Sequence, residues 1–456
     1  MSVVRNPRTG EPIGTAPLLS AADLPALAAR AEAGFADWST RPVAERCRVV
    51  AELARLLADR SAEIGRRFGL ETGKTEAEAE AELDRAVETL CWYAEIAEQS
   101  LAGYRIAAPG LDRSVRVEPA GPVLAIVPSN FPAVVLARKV GPALLAGCSV
   151  VVKAPETAPS VVAALVELAH RAGVPEAVLQ TAFSAPADAA ALVARPEFRV
   201  ISFTGSTRTG RLVAAGAAGT LAQCVLELGG SAPVIVAADA DLAAAVPALV
   251  RSKFGSAGQS CAAPSRFLVQ HDRVAEFVER FAAAVPALEG EQDAAGRPGT
   301  LGPLHTASRQ AEVHELVTDA VGRGARLVTG GRPADRPGYY YPATVLADVP
   351  ADARVLAEEP FGPLVPVLGY ADEDEAVRLA NSTPYGLGAF VFGEPARMRE
   401  LAGRLEAGRV SINCATGADP QSPLGGRADS GYGYEGGVQG LLAFTRLKVV
   451  HEPATG

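Results

Sequence analysis

Cysteine and histidine are scarce in this sequence, and neither is spaced as metal ligands usually are. The 456 residues include six cysteines, none in a C-x-x-C pair, and five histidines without the regular spacing of zinc ligands. We therefore expect no metal site and no disulfide framework. Unpaired cysteines are typical of a reducing compartment, so we expect a cytoplasmic protein. The cysteines stand at positions 47, 91, 148, 224, 261 and 414.

Excess positive charge and long unbroken apolar runs are also missing. Lys and Arg number 43 against 52 Asp and Glu, a net charge of −9, which argues against binding to nucleic acid or to an anionic membrane surface. The longest uncharged apolar stretch, residues 120–137, is interrupted by three prolines and a Ser-Asn pair. A membrane-spanning helix does not readily tolerate that pattern. No apolar segment follows the basic N-terminus, so we expect no signal peptide.

The pattern that is present is one of alternating strands and helices. A chain of this length exceeds one ordinary core, which favours two domains. Residues 20–100 have helical periodicity. From about residue 115, short apolar runs alternate with helical stretches at 133–147 and 157–172, and a second series runs from about 234 to 410. Repeated βαβ units predict an α/β fold with a doubly wound sheet.

One cysteine stands apart from the other five. Cys261 lies in a run of small residues, Gly258-Gln259-Ser260-Cys261-Ala262, and Glu227 lies upstream in Leu226-Glu227-Leu228-Gly229-Gly230. A thiol and a carboxylate in such settings suggest a covalent thiol enzyme with its own general base. The alternatives are a small buried cysteine and a core glutamate with a partner.

Polar motifs follow three of the predicted strands, where ligands of open sheets bind. Asn130, in Pro128-Ser129-Asn130, is able to donate to an oxyanion or to stabilise a turn. Lys153 and Glu156 are suited to ribose hydroxyls or to a solvated loop. The glycines of residues 203–210 either admit a phosphate to a helix N-terminus or form a tight turn.

A P-loop is not expected in this chain. Gly73-Lys74-Thr75 superficially suggests one, but Phe68 stands where the earlier glycine is required, and no strand is predicted before it. We therefore expect no nucleoside-triphosphate site there.

Seven short motifs follow one another along the chain: PSNFP, KAPE, FTGST, LELGG, GQSC, EEPFGP and NSTPYGL. In this order they closely resemble the NAD(P)-dependent aldehyde dehydrogenase superfamily, and the likeness covers nearly the whole chain. The resemblance implies a Rossmann-type NAD-binding domain (1–100 and 120–228) and an α/β catalytic domain (229–429). It also implies a bridging hairpin and tail (101–119 and 430–456) that join subunits into a homodimer or homotetramer.

The resemblance also implies the chemistry. Cys261 would attack an aldehyde, Asn130 and the Cys261 backbone N–H would form the oxyanion hole, and Glu227 would activate the deacylating water. The cofactor would be NAD, with NADP as the alternative, since the Glu156 carboxylate should repel a 2′-phosphate. With the cofactor bound, the pKa of Cys261 should be lowered. The residues implied to bind the cofactor are Val127, Lys153, Glu156, Thr204, Gly205, Ser206, Gly210, Leu228, Glu359 and Phe361.

Several positions depart from the family pattern. The usual Gly-x-Gly turn is absent from residues 181–187, which leaves the adenine contacts open. Arg138 matches an arginine that grips the substrate carboxylate in the succinate-semialdehyde type, but Gly255 stands where that type has a second arginine. We predict a small polar or anionic semialdehyde as substrate, although Arg138 could instead form an ion pair on a helix surface.

Two other functions compete with this prediction. A CoA-acylating aldehyde dehydrogenase would have no need of a water-activating Glu227. A catalytically silent relative, or a thiol hydrolase on the same fold, is disfavoured by the presence of Cys261, Glu227 and Asn130 together.

Overall fold

The computed structural model describes residues 1–108, 111–285 and 301–453. Residues 109, 110, 286–300 and 454–456, parts of the predicted hairpin, catalytic domain and tail, lie outside the described residues. The helices are α1 Leu24–Trp38, α2 Val43–Thr72, α3 Glu76–Ser100, α4 Pro132–Ala146, α5 Pro159–Ala172, α6 Pro186–Val193, α7 Thr207–Ala218, α8 Leu242–Phe254, α9 Val274–Ala284, α10 Ala307–Gly322, α11 Arg354–Ala357, α12 Glu373–Ala380, α13 Pro395–Ala402 and α14 Gly437–Leu442.

The strands are β1 Ser2–Arg5, β2 Pro12–Ala16, β3 Tyr104–Ala108, β4 Leu111–Pro119, β5 Val123–Ile126, β6 Val150–Lys153, β7 Leu179–Ala182, β8 Val200–Thr204, β9 Gln223–Glu227, β10 Ala232–Val236, β11 Pro264–Gln270, β12 Arg326–Thr329, β13 Thr344–Ala347, β14 Leu364–Tyr370, β15 Gly388–Phe392, β16 Arg409–Ile412, β17 Gly431–Tyr432 and β18 Thr445–Pro453. The predicted helices of residues 20–100 are α1, α2 and α3.

The first sheet has the order β17-β9-β8-β5-β6-β7. Strands β5 to β9 are parallel, and the short β17 is antiparallel to β9. From β5 the chain proceeds to β6 and β7 on one side and to β8 and β9 on the other, so the direction of winding reverses between β5 and β8. Ligands of doubly wound sheets bind at such a reversal, and the predicted motifs at Asn130 and Gly205 follow these two strands.

Alternating side chains of this sheet fill two separate cores. Val123 and Ala125 of β5 pack with α2 to α5, whereas Leu124 and Ile126 pack on the opposite face with α1 and α7. Because successive side chains of a strand point to opposite faces, a continuous apolar run indicates a sheet covered on both sides.

The second sheet has the order β12-β13-β14-β11-β10-β15-β16 and is parallel except for β12. A third sheet, β18-β4-β3, is antiparallel and contains the predicted bridging hairpin. Gly431 and Tyr432 were expected to belong with that hairpin, but they form the edge strand β17 of the first sheet. This pairing brings the tail of the chain beside Glu227.

Candidate active site

The loop that carries Cys261 has an unusual backbone. It lies between α8 and β11, and Ser256 and Ala257 adopt left-handed conformations with φ of 53° and 54°. That region costs a non-glycine residue about 1–2 kcal/mol. Such conformations persist where surrounding contacts hold them, and this turn is held by groups from a neighbouring part of the chain.

The connection between α2 and α3 and the first turn of α3 supply those groups. Lys74 Nζ donates to Ser256 Oγ at 2.9 Å, and the Ser256 N–H donates to Glu78 Oε1 at 2.7 Å. Lys74 is fully buried and also pairs with Glu82 at 3.3 Å. The Gly73-Lys74-Thr75 segment, which the sequence excludes as a P-loop, therefore supports the cysteine loop.

Asn130 reaches the same loop from the first sheet. Its Nδ2 donates to the Gln259 carbonyl oxygen at 2.9 Å. Gln259 is itself fixed, because its Nε2 donates to the Ser256 carbonyl at 3.0 Å and its Oε1 accepts from the His305 N–H at 2.9 Å. An amide carries two hydrogens, so one Asn130 N–H remains for a ligand.

Glu227 ends β9 and is 2% exposed. Both of its carboxylate oxygens are buried and have no hydrogen-bond partner within the described residues. Burial, together with the charge of Glu435, raises the pKa of Glu227 well above its usual value, while Lys139 and Arg138 oppose that shift. When it is ionised, this carboxylate is therefore a stronger base than an ordinary glutamate.

A buried ion pair that sequence reasoning missed lies beside Glu227. Lys139 Nζ bonds Glu435 Oε1 at 2.6 Å and Ser202 Oγ at 2.8 Å, and Thr204 Oγ1 donates to Glu435 Oε1 at 3.4 Å. Lys139 is in α4, and Glu435 follows β17. No local signal in the sequence links two residues so far apart.

One cavity, of about 390 Å³, contains the predicted catalytic residues together. Cys261, Glu227, Asn130 and Arg138 line it, and so does Thr204. Arg138 is 9% exposed, and its Nη2 donates to the Ala418 carbonyl at 3.2 Å. Arg138 therefore lies in this cavity and not on a helix surface.

A second cavity, of about 660 Å³, opens at the winding reversal of the first sheet. Thr204 lines both cavities. Lys153 Nζ and Glu156 Oε1 are paired at 2.6 Å on its wall, and Ser206 caps helix α7 by accepting from the Thr209 N–H at 3.3 Å. Predicted cofactor residues that line it are Val127, Lys153, Glu156, Thr204, Gly205 and Ser206.

The other predicted cofactor residues lie elsewhere. Gly210 and Leu228 are absent from the wall of the second cavity, and a Cβ at Gly210 would come within 2.3 Å of Leu228, so this glycine lets α7 pack closely. Glu359 Oε1 accepts from the Gly230 N–H at 3.1 Å, next to the cysteine loop. Phe361 has a φ of 37° and stacks with Arg309.

The adenine side of the second cavity differs from the Gly-x-Gly turn of the family pattern. Chain 181–187 passes from β7 into α6, and small side chains of α6, Ala189, Ala190 and Val193, line the wall.

A family model described as the aldehyde dehydrogenase family matches residues 2–450. The chain belongs to the aldehyde dehydrogenase family. It is an NAD(P)-dependent oxidoreductase, as members of this family are, and the helix N-terminus and paired Lys153–Glu156 in the second cavity fit a dinucleotide.

Among relatives in this family, a 4-(hydroxymethyl)benzenesulfonate dehydrogenase of Comamonas testosteroni is 41% identical over 98% of this chain and 94% of its own. An NADP succinate-semialdehyde dehydrogenase of Deinococcus radiodurans is 38% identical over 98% of this chain and 93% of its own. The crystal structure of succinate-semialdehyde dehydrogenase from Burkholderia pseudomallei superimposes with a TM-score of 0.96 at 37% identity, covering 99% of this chain and 94% of that one.

The thiol of this aldehyde dehydrogenase is poorly ionised without cofactor. Burial raises the pKa of Cys261 to about 12, and the charges of Glu359 and Glu227 contribute, while Arg138 opposes them. Burial also raises the pKa of Glu359 to about 7. A positively charged nicotinamide ring would offset these carboxylates.

The described ranges contain neither a metal-binding cluster nor a membrane-spanning helix. Within the described ranges, no three His, Cys, Asp or Glu side chains are grouped to hold a metal ion. Over the same ranges, no helix is both long enough and apolar enough to cross a membrane.

Proposed function

We propose that this enzyme oxidises a small aldehyde carrying an anionic group to the carboxylic acid, with NAD⁺ as the preferred hydride acceptor. The observation that carries the proposal is one cavity that joins a thiol, an amide donor, an unpaired carboxylate and a buried arginine: Cys261, Asn130, Glu227 and Arg138.

The proposed reaction passes through a covalent intermediate on Cys261. The thiolate adds to the aldehyde carbon, and Asn130 Nδ2 donates to the resulting oxyanion, an interaction typically worth about 3–4 kcal/mol of transition-state stabilisation. The cofactor, which Lys153, Glu156 and the N-terminus of α7 would hold in the second cavity, would supply the hydride acceptor, and loss of hydride from the Cys261 adduct would leave a thioester. Glu227 then takes a proton from a water molecule that attacks the thioester carbon, and the acid leaves as the thiolate is released.

An anionic substrate is supported by Arg138 and by the relatives. A buried arginine with a planar donor fork suits a carboxylate or sulfonate. The Comamonas relative acts on a benzenesulfonate and the Deinococcus relative on succinate semialdehyde, and both of these compounds carry a negative charge.

The preference for NAD rests on Glu156. Its carboxylate, paired with Lys153 in the second cavity, would accept from a ribose hydroxyl and repel a 2′-phosphate. We expect kcat/KM to be higher for NAD than for NADP, and Glu156→Ser to raise kcat/KM for NADP about tenfold or more. A clear preference of the unaltered enzyme for NADP would contradict this assignment.

The test is an aldehyde panel with both cofactors, followed by NADH or NADPH absorbance. Succinate semialdehyde should be oxidised faster than an uncharged aliphatic aldehyde or benzaldehyde, and Cys261→Ala should be inactive. Acyl-CoA formation in the presence of CoA would instead support the CoA-acylating alternative. Absence of any oxidation despite cofactor binding would support a silent relative.

We also propose that the enzyme is a homodimer or homotetramer in the cytoplasm. Apolar side chains lie exposed on the β18-β4-β3 sheet, including Tyr104, Leu447 and Val449 at 58%, 64% and 55% exposure, and β18 is an edge strand that could pair with a second copy. Light scattering coupled to gel filtration should give a mass of two or four chains, whereas a single-chain mass would refute the proposal.

A further inference from the structure

Arg409 lines the substrate cavity together with Arg85, Arg138 and Arg251, and the sequence motifs do not identify it. It begins β16 and lines the same cavity as Cys261. Its Nε and Nη1 atoms are buried and have no hydrogen-bond partner among the residues that the structure describes. Its ring contact is weak, since the guanidinium carbon lies 6.0 Å from the Phe390 centroid. The residue as a whole is half-buried, but buried N–H groups of a cation are costly to leave without partners unless a ligand satisfies them.

Arg138 also has a buried guanidinium nitrogen without a hydrogen-bond partner. Its Nε makes no hydrogen bond within residues 1–108, 111–285 and 301–453. Burial lowers the pKa of Arg409, and the charge of Arg138 lowers it further, so the two guanidinium groups are close enough to repel each other. Two like charges in one cavity are stabilised by an anion between them.

The acidic groups around the two arginines either have other partners or have a raised pKa. Asp419 accepts from the Gln421 and Ser422 N–H groups and from Ser422 Oγ. Glu435 is paired with Lys139, and Glu227 has a raised pKa. None of these carboxylates forms an ion pair with Arg138 or Arg409 in the described part of the chain.

Gly255 explains why a second cation is needed at another position. The succinate-semialdehyde type, which this chain resembles, has an arginine there. Here an ideal Cβ on Gly255 would have no heavy atom within 4 Å, so the cavity is open at this point, although Arg251 of α8 lines the wall nearby. Arg409 approaches the cavity from β16 instead.

We propose that Arg409, together with Arg138, binds the anionic group of the aldehyde substrate, a carboxylate or a sulfonate, and thereby sets specificity. This inference rests on the proposed function, since it concerns the substrate of the same site. The two guanidinium groups would hold one anion from two elements of the fold, α4 and β16.

The first experiment compares matched substrates. It measures kcat/KM for succinate semialdehyde against butanal, and for 4-carboxybenzaldehyde against 4-methylbenzaldehyde, in the unaltered enzyme and in Arg409→Met. We expect the anionic-to-uncharged ratio to fall at least tenfold in each pair, as for a lost hydrogen bond to a charged group. A ratio that changes less than twofold, or an equal loss for both members of a pair, would show that Arg409 is only structural.

Two further variants make the result specific. If Arg138 and Arg409 bind one anion, the double variant Arg138→Met/Arg409→Met should lose less than the product of the single losses, because groups that share a partner are not additive. Strictly multiplicative losses would contradict a shared anion. Arg66→Met, on the exposed surface of α2 and outside the cavity, removes the same charge and should leave the ratio unchanged.

A binding measurement separates this inference from the proposed function. Titration calorimetry of terephthalate into Cys261→Ala should detect binding that Arg409→Met weakens at least tenfold. If the unaltered enzyme oxidises no aldehyde, the proposed function fails, while this titration still tests the arginine pair. Should Arg409→Met fail to fold, as judged by circular dichroism, Arg409→Lys replaces it and is expected to retain part of the ratio. Terephthalate affinity that is independent of residue 409 would overturn the inference.

Discussion

Replacing Lys139 by methionine should affect both stability and catalysis. Lys139 is fully buried in α4, and its Nζ lies 2.6 Å from Glu435 Oε1. Methionine keeps much of the apolar stem but removes the charge. The variant therefore leaves a buried carboxylate without its counterion, next to Glu227, the proposed general base.

The expected loss of stability follows from burial. Removing one partner of a buried ion pair typically costs about 3–5 kcal/mol, because the remaining charge is uncompensated. Ser202 Oγ, 2.8 Å from Nζ, also loses its partner. An exposed pair of similar length, Arg404 with Asp374 at 2.5 Å, should contribute less than about 1 kcal/mol, so Arg404→Met is the matched control.

The expected effect on catalysis has a definite sign. The charge of Lys139 lowers the pKa of Glu227, and that of Glu435 raises it. Without Lys139 the pKa of Glu227 rises further, so the ionised base appears only at higher pH. The acidic limb of the pH profile of kcat should move upward by about one pH unit, equivalent to about 1.4 kcal/mol.

Urea denaturation and the pH profile of kcat, measured on the same preparations, test both effects. Lys139→Met/Glu435→Gln removes both charges, so it should recover most of the lost stability and return the acidic limb toward lower pH. A single variant that loses less than 1 kcal/mol and keeps the original acidic limb would refute the reasoning about this pair.

Three more predictions concern the reacting groups and their loop. Glu227→Gln should keep the first-turnover burst of NADH but lower the steady-state rate about 10²–10⁴-fold. Rapid-mixing absorbance measures both phases. Loss of the burst itself would mean that Glu227 also activates the thiol. Gly230→Ala places a Cβ within 2.2 Å of the Cys261 carbonyl oxygen, so it should lower the melting temperature and kcat. The control is Gly322→Ala, whose Cβ would have no atom within 4 Å and which should not lower the melting temperature. Since the pKa of Cys261 is raised to about 12, its alkylation in cofactor-free enzyme should accelerate about tenfold per pH unit up to pH 10, and a plateau near pH 8, read by peptide mass spectrometry, would contradict this.

Local sequence patterns predict the elements that place this site. The apolar run Val123–Val127 corresponds to β5, residues 123–126, and the helix expected over 157–172 is α5, residues 159–172. Strand β5 is wholly buried and reads as a continuous apolar run, whereas α5 buries one face and is bounded by Pro159 and Gly173, so both elements have local sequence signals. The small residues around Cys261 single it out from the other cysteines, whereas the predicted roles of Glu227 and Asn130 depend on the order of the seven motifs.

Contacts between distant segments could not be predicted in the same way. Lys139 resembles any helical lysine until β17 brings Glu435 beside it. Arg409 sits in a strand of ordinary composition, and its exceptional feature is buried, unpartnered nitrogen atoms. The segment that contains Lys74 resembles a P-loop only superficially, and its contact with the cysteine loop is known only from the bond between Lys74 Nζ and Ser256 Oγ. In each case the decisive property is a pairing, or its absence, across the tertiary structure.

The raised pKa values of Cys261 and Glu227 follow from one feature of the cavity. Both groups are withdrawn from water, and each carboxylate in the cavity disfavours ionisation of the thiol. The cofactor-free enzyme therefore holds its nucleophile as a thiol, which is unreactive towards stray electrophiles. A cationic nicotinamide in the adjoining cavity would favour the thiolate, so we expect reactivity to depend on occupation of that cavity. The charge of Arg138 also lowers the pKa of Cys261. A substrate anion that neutralised Arg138 would weaken this stabilisation of the thiolate. We therefore expect the cofactor to bind before the aldehyde.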